Sequence, residues 1–501
     1  MKVFFAPLRF ILVLVFCFFI ASQTAHAHVG SKDVFETINA GPYRLYVTIR
    51  MPNVIPGVAT VEVRSSGANV RGINITPLPI TGEASKHPPT SDPMKRSSLD
   101  PAFFTGSLWM MASGSWEVRF EIAGEGGVQT ASVPVPAVAL STLKMQRGIG
   151  TILGVLGLFL VASMAGIVAA AVRDARLEPG AIASPNRRRR AVLASVGSLV
   201  FMALLIWGGA TWWNAEAASY SLDVYHPLKV DPVLSGNVLD LNVQGFQSDS
   251  DRRGRSNNDF LPDHGHLMHL YAIREPEMDA VFHLHPELAG AGDFRISLPA
   301  MPAGDYTLYG DVVHASGFPE TLVSKITVPA TMAGGALGPD DAAAHPQPLS
   351  AGALGNAFTL PDGYVMVWDR PATLTADTGY TFRFHLQDAK GNPAADVQPY
   401  MGMAGHAAFV KTDGTVFAHT HPEGSAAMAA LMLANGSDSS AHAGMEGMDM
   451  SMPMHMDHHS EPISNTVEFP YGFPSSGRYR IFVQMKHGTT IETGAFDAVI
   501  Q

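Results

Sequence analysis

The chain has 501 residues, of which 47% are apolar and only 15% are charged, and its formal net charge is −11. This length allows roughly three or four domains, the low charge content favours membrane segments or extensive β-structure, and the lack of a broad basic surface argues against nucleic-acid binding. The single cysteine, Cys17, lies in a segment that we expect to be removed, which excludes disulfides and cysteine-ligated zinc from the mature protein.

Residues 1–27 have the pattern of a secretory signal peptide. Lys2 and Arg9 precede the apolar run "FILVLVFCFFIA", and "AHA" supplies the small residues that a cleavage site needs. Cleavage after Ala27 leaves His28 as the first residue, with a free amine beside its imidazole. We therefore predict export of the chain and include His28 among the candidate metal ligands.

A β-domain and a membrane hairpin are expected next. Residues 28–143 contain alternating runs such as "PYRLYVTIRM" and "GSWEVRFEIAG", which are typical of an antiparallel β-sandwich. Two apolar runs follow, at 149–172 and 191–213, and each is long enough to span a bilayer. The loop between them, 173–190, carries six arginines, so the positive-inside rule places it in the cytoplasm. We predict a protein of the bacterial cytoplasmic (inner) membrane with its N- and C-terminal domains both extracytoplasmic (periplasmic).

The rest of the chain contains an internal repeat. Two β-domains, repeat A (218–330) and repeat B (357–501), are separated by a linker rich in Gly, Pro and Ala (331–356). "HLYAIREPEMDAVFHLHPE" begins at His269 and "HAAFVKTDGTVFAHTHPE" begins at His406, and each repeat later has a strand that ends in histidine. The four histidines at matching places are His269, His283, His285 and His314 in repeat A, and His406, His419, His421 and His487 in repeat B.

The spacing in repeat B predicts where these side chains point. A hairpin turn at 413–414 places His406, His419 and His421 on one apolar face, which we expect to point into the domain. His487 ends a strand whose inward residues are apolar, so we expect it to join them. Four buried imidazoles are costly without hydrogen bonds or a metal ion.

A second correspondence points to copper. The segments "HGHLMH" and "MGMAGH" precede the first histidine of each repeat, and their alignment places His264 opposite Met401 and His266 opposite Met403. Imidazole binds copper in either oxidation state, and thioether selects Cu(I). We predict all four as ligands and copper as the metal, while zinc stays possible because imidazole alone does not exclude it.

Repeat B also carries an insertion, 425–462, that contains "HAGMEGMDMSMPMHMDHH". It resembles the Met/His-rich segments of bacterial periplasmic copper-resistance proteins, and the resemblance implies copper binding. The alternative is a flexible low-complexity segment without a ligand, although methionine is an unusual choice for disorder. The candidate ligands here are Met445, Met448, Met450, Met452, Met454, His455, Met456, His458 and His459.

Resemblances to known protein families also point to copper handling. "MPNVIPGVATVEVR" and "YMGMAGHA" resemble parts of exported immunoglobulin-like domains of the FixH-like and YtkA-like kinds, several of which accompany copper or oxidase assembly. The layout is similar to the copper subunit of methane monooxygenase, which departs from this chain in having a His-x-His pair in its first domain. The whole architecture resembles uncharacterised bacterial membrane-anchored proteins.

The sequence therefore predicts a mainly β protein with three extracytoplasmic β-sandwich domains, immunoglobulin-like or cupredoxin-like, and a two-helix transmembrane hairpin. We expect copper sequestration, tolerance or transfer, with metal ions, the membrane and a copper-handling or oxidase-assembly protein as partners. Asp311 is a candidate to orient a histidine. A copper-dependent oxidase or monooxygenase subunit is one alternative, and a structural envelope protein with metal-free core histidines is another. The common phosphate-loop, nucleophile-elbow and zincin motifs are absent from the sequence, so we expect a binding protein rather than an enzyme.

Overall fold

The computed structural model describes residues 32–178, 180–245, 255–436 and 463–501. Within them the chain is mainly β, with several sheets and two long apolar helices, as predicted. The predicted immunoglobulin-like or cupredoxin-like identity of the sheets stays a prediction, and the predicted signal peptide, 1–27, lies outside the described residues.

The N-terminal domain consists of two sheets packed on a shared apolar core. Its strands alternate in burial: in "YRLYVTIR" the residues Tyr43, Leu45, Val47 and Ile49 are buried and the polar residues between them are not. The sheet orders are β1-β2-β3-β7-β6 and β5-β4-β8-β9. The strands are β1 (Val34–Ala40), β2 (Tyr43–Arg50), β3 (Gly57–Gly67), β4 (Val70–Pro79), β5 (Asp92–Pro93), β6 (Lys95–Arg96), β7 (Phe103–Met110), β8 (Gly114–Gly124) and β9 (Gly127–Ala137), with a 3-10 helix at Glu83–Lys86.

Two antiparallel helices follow, α1 (Arg147–Asp174) and α2 (Pro185–Ser221). Both are long and apolar enough to cross a membrane, and almost none of their residues are buried in the protein. Helix α2 begins with Pro185 after Ser184, whose side chain accepts a hydrogen bond from the backbone N–H of Arg187. Helix α1 extends two residues beyond each end of the predicted run 149–172. Helix α2 begins six residues before the predicted run 191–213 and ends eight residues after it.

Repeat A also has two sheets, β10-β11-β16-β15 and β12-β17-β13-β14-β19, with β18 paired to β17. The final strand of the second sheet comes from the segment that the sequence predicts to be a linker. The strands are β10 (Val230–Ser235), β11 (Val238–Val243), β12 (Phe260–Leu261), β13 (His269–Glu275), β14 (Val281–Leu284), β15 (Glu287–Gly290), β16 (Asp293–Ser297), β17 (Gly304–His314), β18 (Pro319–Val328) and β19 (Ala342–Ala344).

Repeat B has the same plan, with sheets β20-β21-β22-β26 and β23-β27-β24-β25 and with β28 paired to β27. The order β17-β13-β14 in repeat A corresponds to β27-β24-β25 in repeat B, which supports the predicted duplication. The elements are β20 (Ala357–Thr359), β21 (Val365–Trp368), β22 (Gly379–Gln387), β23 (Val397–Gln398), β24 (His406–Lys411), β25 (Phe417–Thr420), α3 (Met428–Ala434), β26 (Thr466–Gly472), β27 (Gly477–His487) and β28 (Thr490–Ile500), preceded by a 3-10 helix at Leu349–Ala351.

The two repeats pack sheet against sheet. Tyr271 and Tyr309 of repeat A share an apolar cluster with Val410, Phe417 and Phe482 of repeat B. The rings of Tyr309 and Phe417 stack with centroids 4.4 Å apart. The sheets β17-β13-β14 and β27-β24-β25 are therefore buried on both faces, one against their own domain core and the other against the partner repeat, which explains their nearly continuous buried runs.

Candidate metal centre

Histidines from both repeats meet at this interface. Neighbouring rings have centroid separations from 4.0 Å, between His266 and His285, to 6.2 Å, between His283 and His406. The hairpins β13–β14 and β24–β25 supply six of the rings, and the turn before β13 supplies two more. The members of this cluster, called the histidine centre below, are His264, His266, His269, His283, His285, His406, His419 and His421.

Triad A consists of His269, His283 and His285, whose candidate ligand atoms lie within 4.8 Å of one another. The backbone carbonyl of Asp263 lies 2.9 Å from Nε2 of His269, and the Gln484 carbonyl oxygen lies 2.8 Å from Nδ1 of His283. Both oxygens are hydrogen-bond acceptors, so these two ring nitrogens carry the protons. The lone pairs of His269 and His283 are then left on Nδ1 and Nε2 respectively.

These two lone pairs face each other, because Nδ1 of His269 lies 3.2 Å from Nε2 of His283. Without a proton between them, the contact is repulsive unless a cation lies between the lone pairs. Two imidazole nitrogens bound at 2.0–2.1 Å to one tetrahedral ion are about 3.3 Å apart. The observed separation therefore suits two ligands of the same metal ion.

His285 completes triad A in the same manner. Its Nδ1 lies 3.0 Å from a carboxylate oxygen of Asp341, so Nδ1 carries the proton. Its Nε2 is buried and has no hydrogen-bond partner among the described residues. All three histidines of triad A thus donate one N–H to an oxygen and keep one free nitrogen, which is the usual arrangement of metal-binding histidines.

Triad B consists of His406, His419 and His421, and its candidate ligand atoms also lie within 4.8 Å of one another. Nδ1 of His406 lies 3.1 Å from Nε2 of His419, the same pair of atoms as in triad A. Nδ1 of His419 lies 3.4 Å from a carboxylate oxygen of Asp311, which supports the predicted orienting role of Asp311. Within the described ranges, Nε2 of His406 and of His421 has no hydrogen-bond partner.

A side chain from repeat A extends towards triad B. The ring centroid of His264 lies 4.8 Å from that of His421 and 5.3 Å from that of His406. Asp263, His264 and His421 form a third group whose ligand atoms could hold a metal ion. His264 has a positive φ of 50°, which is uncommon for a residue other than glycine and frequent at functional sites.

The turns before the two triads have the same backbone structure. Asp263 and His266 exchange two backbone hydrogen bonds, and Tyr400 and Met403 do the same. Met401 has a φ of 47°, close to that of His264. This equivalence agrees with the predicted correspondence of His264 with Met401. Met401 and Met403 therefore lie in the turn beside His406, the first histidine of triad B.

Each repeat also supports the histidines of the other. The Gln484 carbonyl of repeat B accepts from His283 of repeat A, and the Asp311 carboxylate of repeat A lies beside His419 of repeat B. Gln484 and Asp311 occupy equivalent places, because each is the third residue before the histidine that ends its strand. The Tyr400 hydroxyl of repeat B is also 3.2 Å from Nδ1 of His283. The centre thus needs both repeats.

Burial disfavours protonation of the histidines of the two triads. The pKa values of His269, His283, His406 and His419 are held well below their usual value by removal of the rings from water and by the neighbouring histidines. The same burial lowers the pKa of His421 to about 4. A metal binds the neutral form of imidazole, so these side chains can act as ligands at neutral pH without first losing a proton.

The structure corrects the prediction that four histidines of each repeat converge. His406 pairs with Gln484 in the sheet, so the triad lies on the face of Gln484, and His487 points to the opposite face, towards the core of its own domain. His314 has the same position in repeat A. The prediction that the triads point into their own domains is likewise wrong, because they point to the other repeat.

Other predicted ligands lie outside the described residues. These are His28, Met445, Met448, Met450, Met452, Met454, His455, Met456, His458 and His459.

Sequence reasoning missed several members of the site. Gln484 and Tyr400 were not predicted, and neither were Asp340 and Asp341 in the supposed linker. Asp340 lies 3.2 Å from Nε2 of His266. The only sequence signal for the two acids was an adjacent pair in a segment of small residues.

A cavity of about 120 Å³ adjoins the centre. Its polar wall includes His269, His419, His421, Asp263 and Asp311. Its apolar wall includes Leu267, Val313 and Phe318 of repeat A and Phe417 of repeat B. Val138, which directly follows β9 of the N-terminal domain, is also part of this wall. A small molecule could therefore reach both triads from one side.

A family model matches one part of the chain. Residues 359–501, nearly the whole of repeat B, match a domain of unknown function, DUF8832. No curated protein matches the chain.

Among solved structures, the chain has distant similarity to dimeric latent PorU from Porphyromonas gingivalis, at 8% identity over 94% of this chain and 34% of that one, with a TM-score of 0.15. It is similar to native E. coli alpha-2-macroglobulin at 8% identity over 93% of this chain and 23% of that one, with a TM-score of 0.20. The chain thus spans about a third or less of these two proteins. Similarity at this level carries no functional argument.

Proposed function

We propose that this chain is a membrane-anchored extracytoplasmic protein that holds copper at the histidine centre. One observation carries the proposal: in both triads two imidazole nitrogens face each other, 3.2 Å apart in triad A and 3.1 Å apart in triad B, with further Nε2 atoms unpaired beside them. A protein whose core histidines only hydrogen-bond would pair each N–H with an acceptor. In triad A the second nitrogen of both facing rings lies beside an oxygen acceptor, so the facing nitrogens carry lone pairs, and lone pairs directed at one point suit a cation. In triad B the buried and unpaired Nε2 atoms of His406 and His421 offer nitrogen donors for a second ion.

Copper is the ion that this donor set and its surroundings favour. Copper(II) stands above zinc in the order of affinities for nitrogen ligands, and three or four imidazoles satisfy its preferred ligand type. The methionines at 401 and 403, in the turn that matches His264 and His266, add donors that select Cu(I). Zinc is the competing ion, since three imidazoles also suit it.

The proposed location rests on the helical hairpin. Helices α1 and α2 leave and return on one side of the chain's β-domains: the backbone N–H of Tyr225, just after α2, donates to the carbonyl of Ala139, just before α1. The N-terminal domain and the repeats therefore lie on the same side of any membrane that the hairpin spans. The arginines at 187–190 lie at the opposite end, which supports a cytoplasmic loop.

Burial favours a metal ion that stays in place. His269, His283 and His406 are at most 2% exposed, and the oxygen that orients His283 comes from Gln484 of the other repeat. A partner protein could remove the ion only after the interface opened. We therefore favour sequestration with slow exchange over rapid transfer.

A second candidate function, copper-dependent oxidation, is favoured by one feature. The cavity of about 120 Å³ opens on His269 and His419, one from each triad, whose ring centroids are 5.4 Å apart. Two copper ions so close to a small cavity could exchange electrons with one bound molecule. Oxygen consumption with a simple reductant, compared with that of free copper, separates this candidate from sequestration.

The test is copper analysis of the full chain in detergent. We expect wild type to retain at least two Cu(II) ions per chain after dialysis, and His283→Ala/His285→Ala and His419→Ala/His421→Ala each to retain one fewer. His385→Ala is the matched control, because His385 is only partly buried and lies outside the histidine centre. Unchanged copper content in both double variants, or a preference for zinc in competition, would overturn the copper proposal.

A further inference from the structure

His314 and His487, the two histidines that point away from the histidine centre, occupy equivalent positions in repeats A and B, but the charged residues around them differ. In repeat A, Glu320 pairs with the residue two before His314. In repeat B, Glu492 pairs with the residue two before His487. Each histidine thus has a glutamate on the neighbouring strand at the same place, and the comparison between the two sites is direct.

In repeat A the protein neutralises this site itself. His314 lies between two carboxylates, 2.7 Å from Asp259 and 2.9 Å from Glu320. Arg255 also contacts Glu320, with Nη1 2.6 Å from the carboxylate. The Tyr225 hydroxyl donates to the same carboxylate at 2.9 Å. Two cationic groups therefore face two carboxylates, and the site has no need of a further cation.

Repeat B has the carboxylates but not the guanidinium. Nε2 of His487 lies 2.9 Å from a carboxylate oxygen of Asp362, and Nδ1 lies 3.4 Å from one of Asp396. Ligand atoms of Asp362, His487 and Glu492 lie within 4.8 Å of one another. No lysine or arginine of the described part of the chain forms an ion pair with Asp362, Asp396 or Glu492. Burial and the nearby Asp362 charge raise the pKa of Glu492.

His487 is positioned as a ligand rather than as a surface residue. It is 6% exposed, and its ring stacks on Tyr364 with centroids 4.0 Å apart. Although its Nε2 is close to Asp362, the two are not aligned for a hydrogen bond, and this buried nitrogen has no hydrogen-bond partner among the residues described. Asp396 on the other side can accept from Nδ1–H, which leaves the Nε2 lone pair directed at Asp362 and Glu492.

We propose that Asp362, His487 and Glu492 bind a divalent cation, Mn²⁺ or Zn²⁺, at a second site in repeat B that is independent of the histidine centre. Two carboxylates with one imidazole form a harder ligand set than three imidazoles and suit Mn²⁺ and Zn²⁺. The ion takes the place that Arg255 fills in repeat A. It also links the two sheets of repeat B, because Asp362 lies between β20 and β21, whereas His487 and Glu492 lie at the β27–β28 turn.

The test uses Mn²⁺, which imidazole-only sites bind poorly. The full chain in detergent is titrated with Mn²⁺, and the free ion is followed by electron paramagnetic resonance. We expect about one bound Mn²⁺ per chain in wild type, and at least a tenfold weaker affinity in Asp362→Asn and in Glu492→Gln. Asp362 has a partly exposed side chain, so its variant is expected to fold even if the Glu492 variant does not.

Two controls make the result decisive. Asp369→Asn removes a carboxylate that lies 3.5 Å from His385 without a third ligand, and we expect it to bind Mn²⁺ as wild type does. His419→Ala/His421→Ala disables triad B, and we expect it to keep the Mn²⁺ as well, which separates this site from the proposed copper function. Failure of wild type to bind Mn²⁺, or equal Mn²⁺ affinity in wild type and Asp362→Asn, would overturn the proposal.

Discussion

Replacing Gln484 by leucine tests whether one repeat supports the metal of the other. The Gln484 carbonyl oxygen accepts hydrogen bonds from His283 at 2.8 Å and from the Tyr271 hydroxyl at 3.2 Å, and both partners belong to repeat A. The side chain is 1% exposed, so water cannot readily replace it. In Gln484→Leu the His283 imidazole loses the acceptor that fixes its tautomer.

The expected loss follows from the chemistry of histidine ligands. Removing the oxygen that orients a metal-bound histidine weakens metal binding about 10- to 100-fold, or about 1.4–2.7 kcal/mol. The metal-free protein should also lose stability, because the buried Tyr271 hydroxyl is left unpaired at a cost of about 1–3 kcal/mol. His283 keeps only the longer contact with the Tyr400 hydroxyl, at 3.2 Å. Gln484→Glu keeps an acceptor, and we expect it to retain tight binding.

A crossed design assigns the effect to one triad. Copper(II) affinity is measured by competition with a coloured chelator in two backgrounds, His419→Ala/His421→Ala, which leaves triad A, and His283→Ala/His285→Ala, which leaves triad B. We expect Gln484→Leu to weaken binding only in the first background. Asp311→Leu, the equivalent change in repeat A, should weaken binding only in the second.

The reasoning would be refuted by a Gln484→Leu variant that keeps wild-type affinity in the first background. Equal weakening in both backgrounds would show general damage to the interface instead of a specific contact. Thermal unfolding of each variant in the presence of chelator distinguishes lost stability from lost metal binding.

Three further predictions concern other parts of the chain. Deleting 442–459 should lower the number of Cu(I) ions bound and slow their loading, as measured by Cu(I) competition titration and stopped-flow transfer, while the Cu(II) at the triads persists. Equal Cu(I) uptake by the deletion variant and wild type would mean that the segment is only a spacer. A reporter active only in the cytoplasm should work when inserted after Pro185 and fail after Gln501, and the reverse pattern would contradict the predicted orientation. Burial lowers the pKa of His314, but its hydrogen bonds to Asp259 and Glu320 outweigh burial and raise the pKa above the usual 6.5. Arg255 also pairs with the Glu320 carboxylate. Protonated His314 therefore stabilises the folded protein fully below pH 6.5, and this stabilisation is lost as the pH rises through the raised pKa of His314. As the pH rises from 6.5 through that pKa, the melting temperature of the His314→Gln variant should change less than that of wild type.

The sequence by itself determined the local features of this protein. The turn at 413–414 fixed the hairpin register, in which Ala408 pairs with His419 and Val410 with Phe417. This register places the three histidines of triad B on one face, as predicted. Two apolar runs fixed the long helices, and the match of "HGHLMH" with "MGMAGH" fixed two turns of the same structure. Each of these follows from a period or a turn that only a few neighbouring residues define.

The tertiary structure decided where each face of a sheet would lie. The hairpin fixed which histidines share a face, but the pairing of His406 with Gln484 decided that His487 is not among them. Both faces of these sheets are buried, so an apolar pattern did not show which one meets the domain core and which meets the other repeat. The oxygens that orient the histidines come from contacts between residues as far apart in sequence as His283 and Gln484, separated by 201 positions, and no local pattern specifies such a contact.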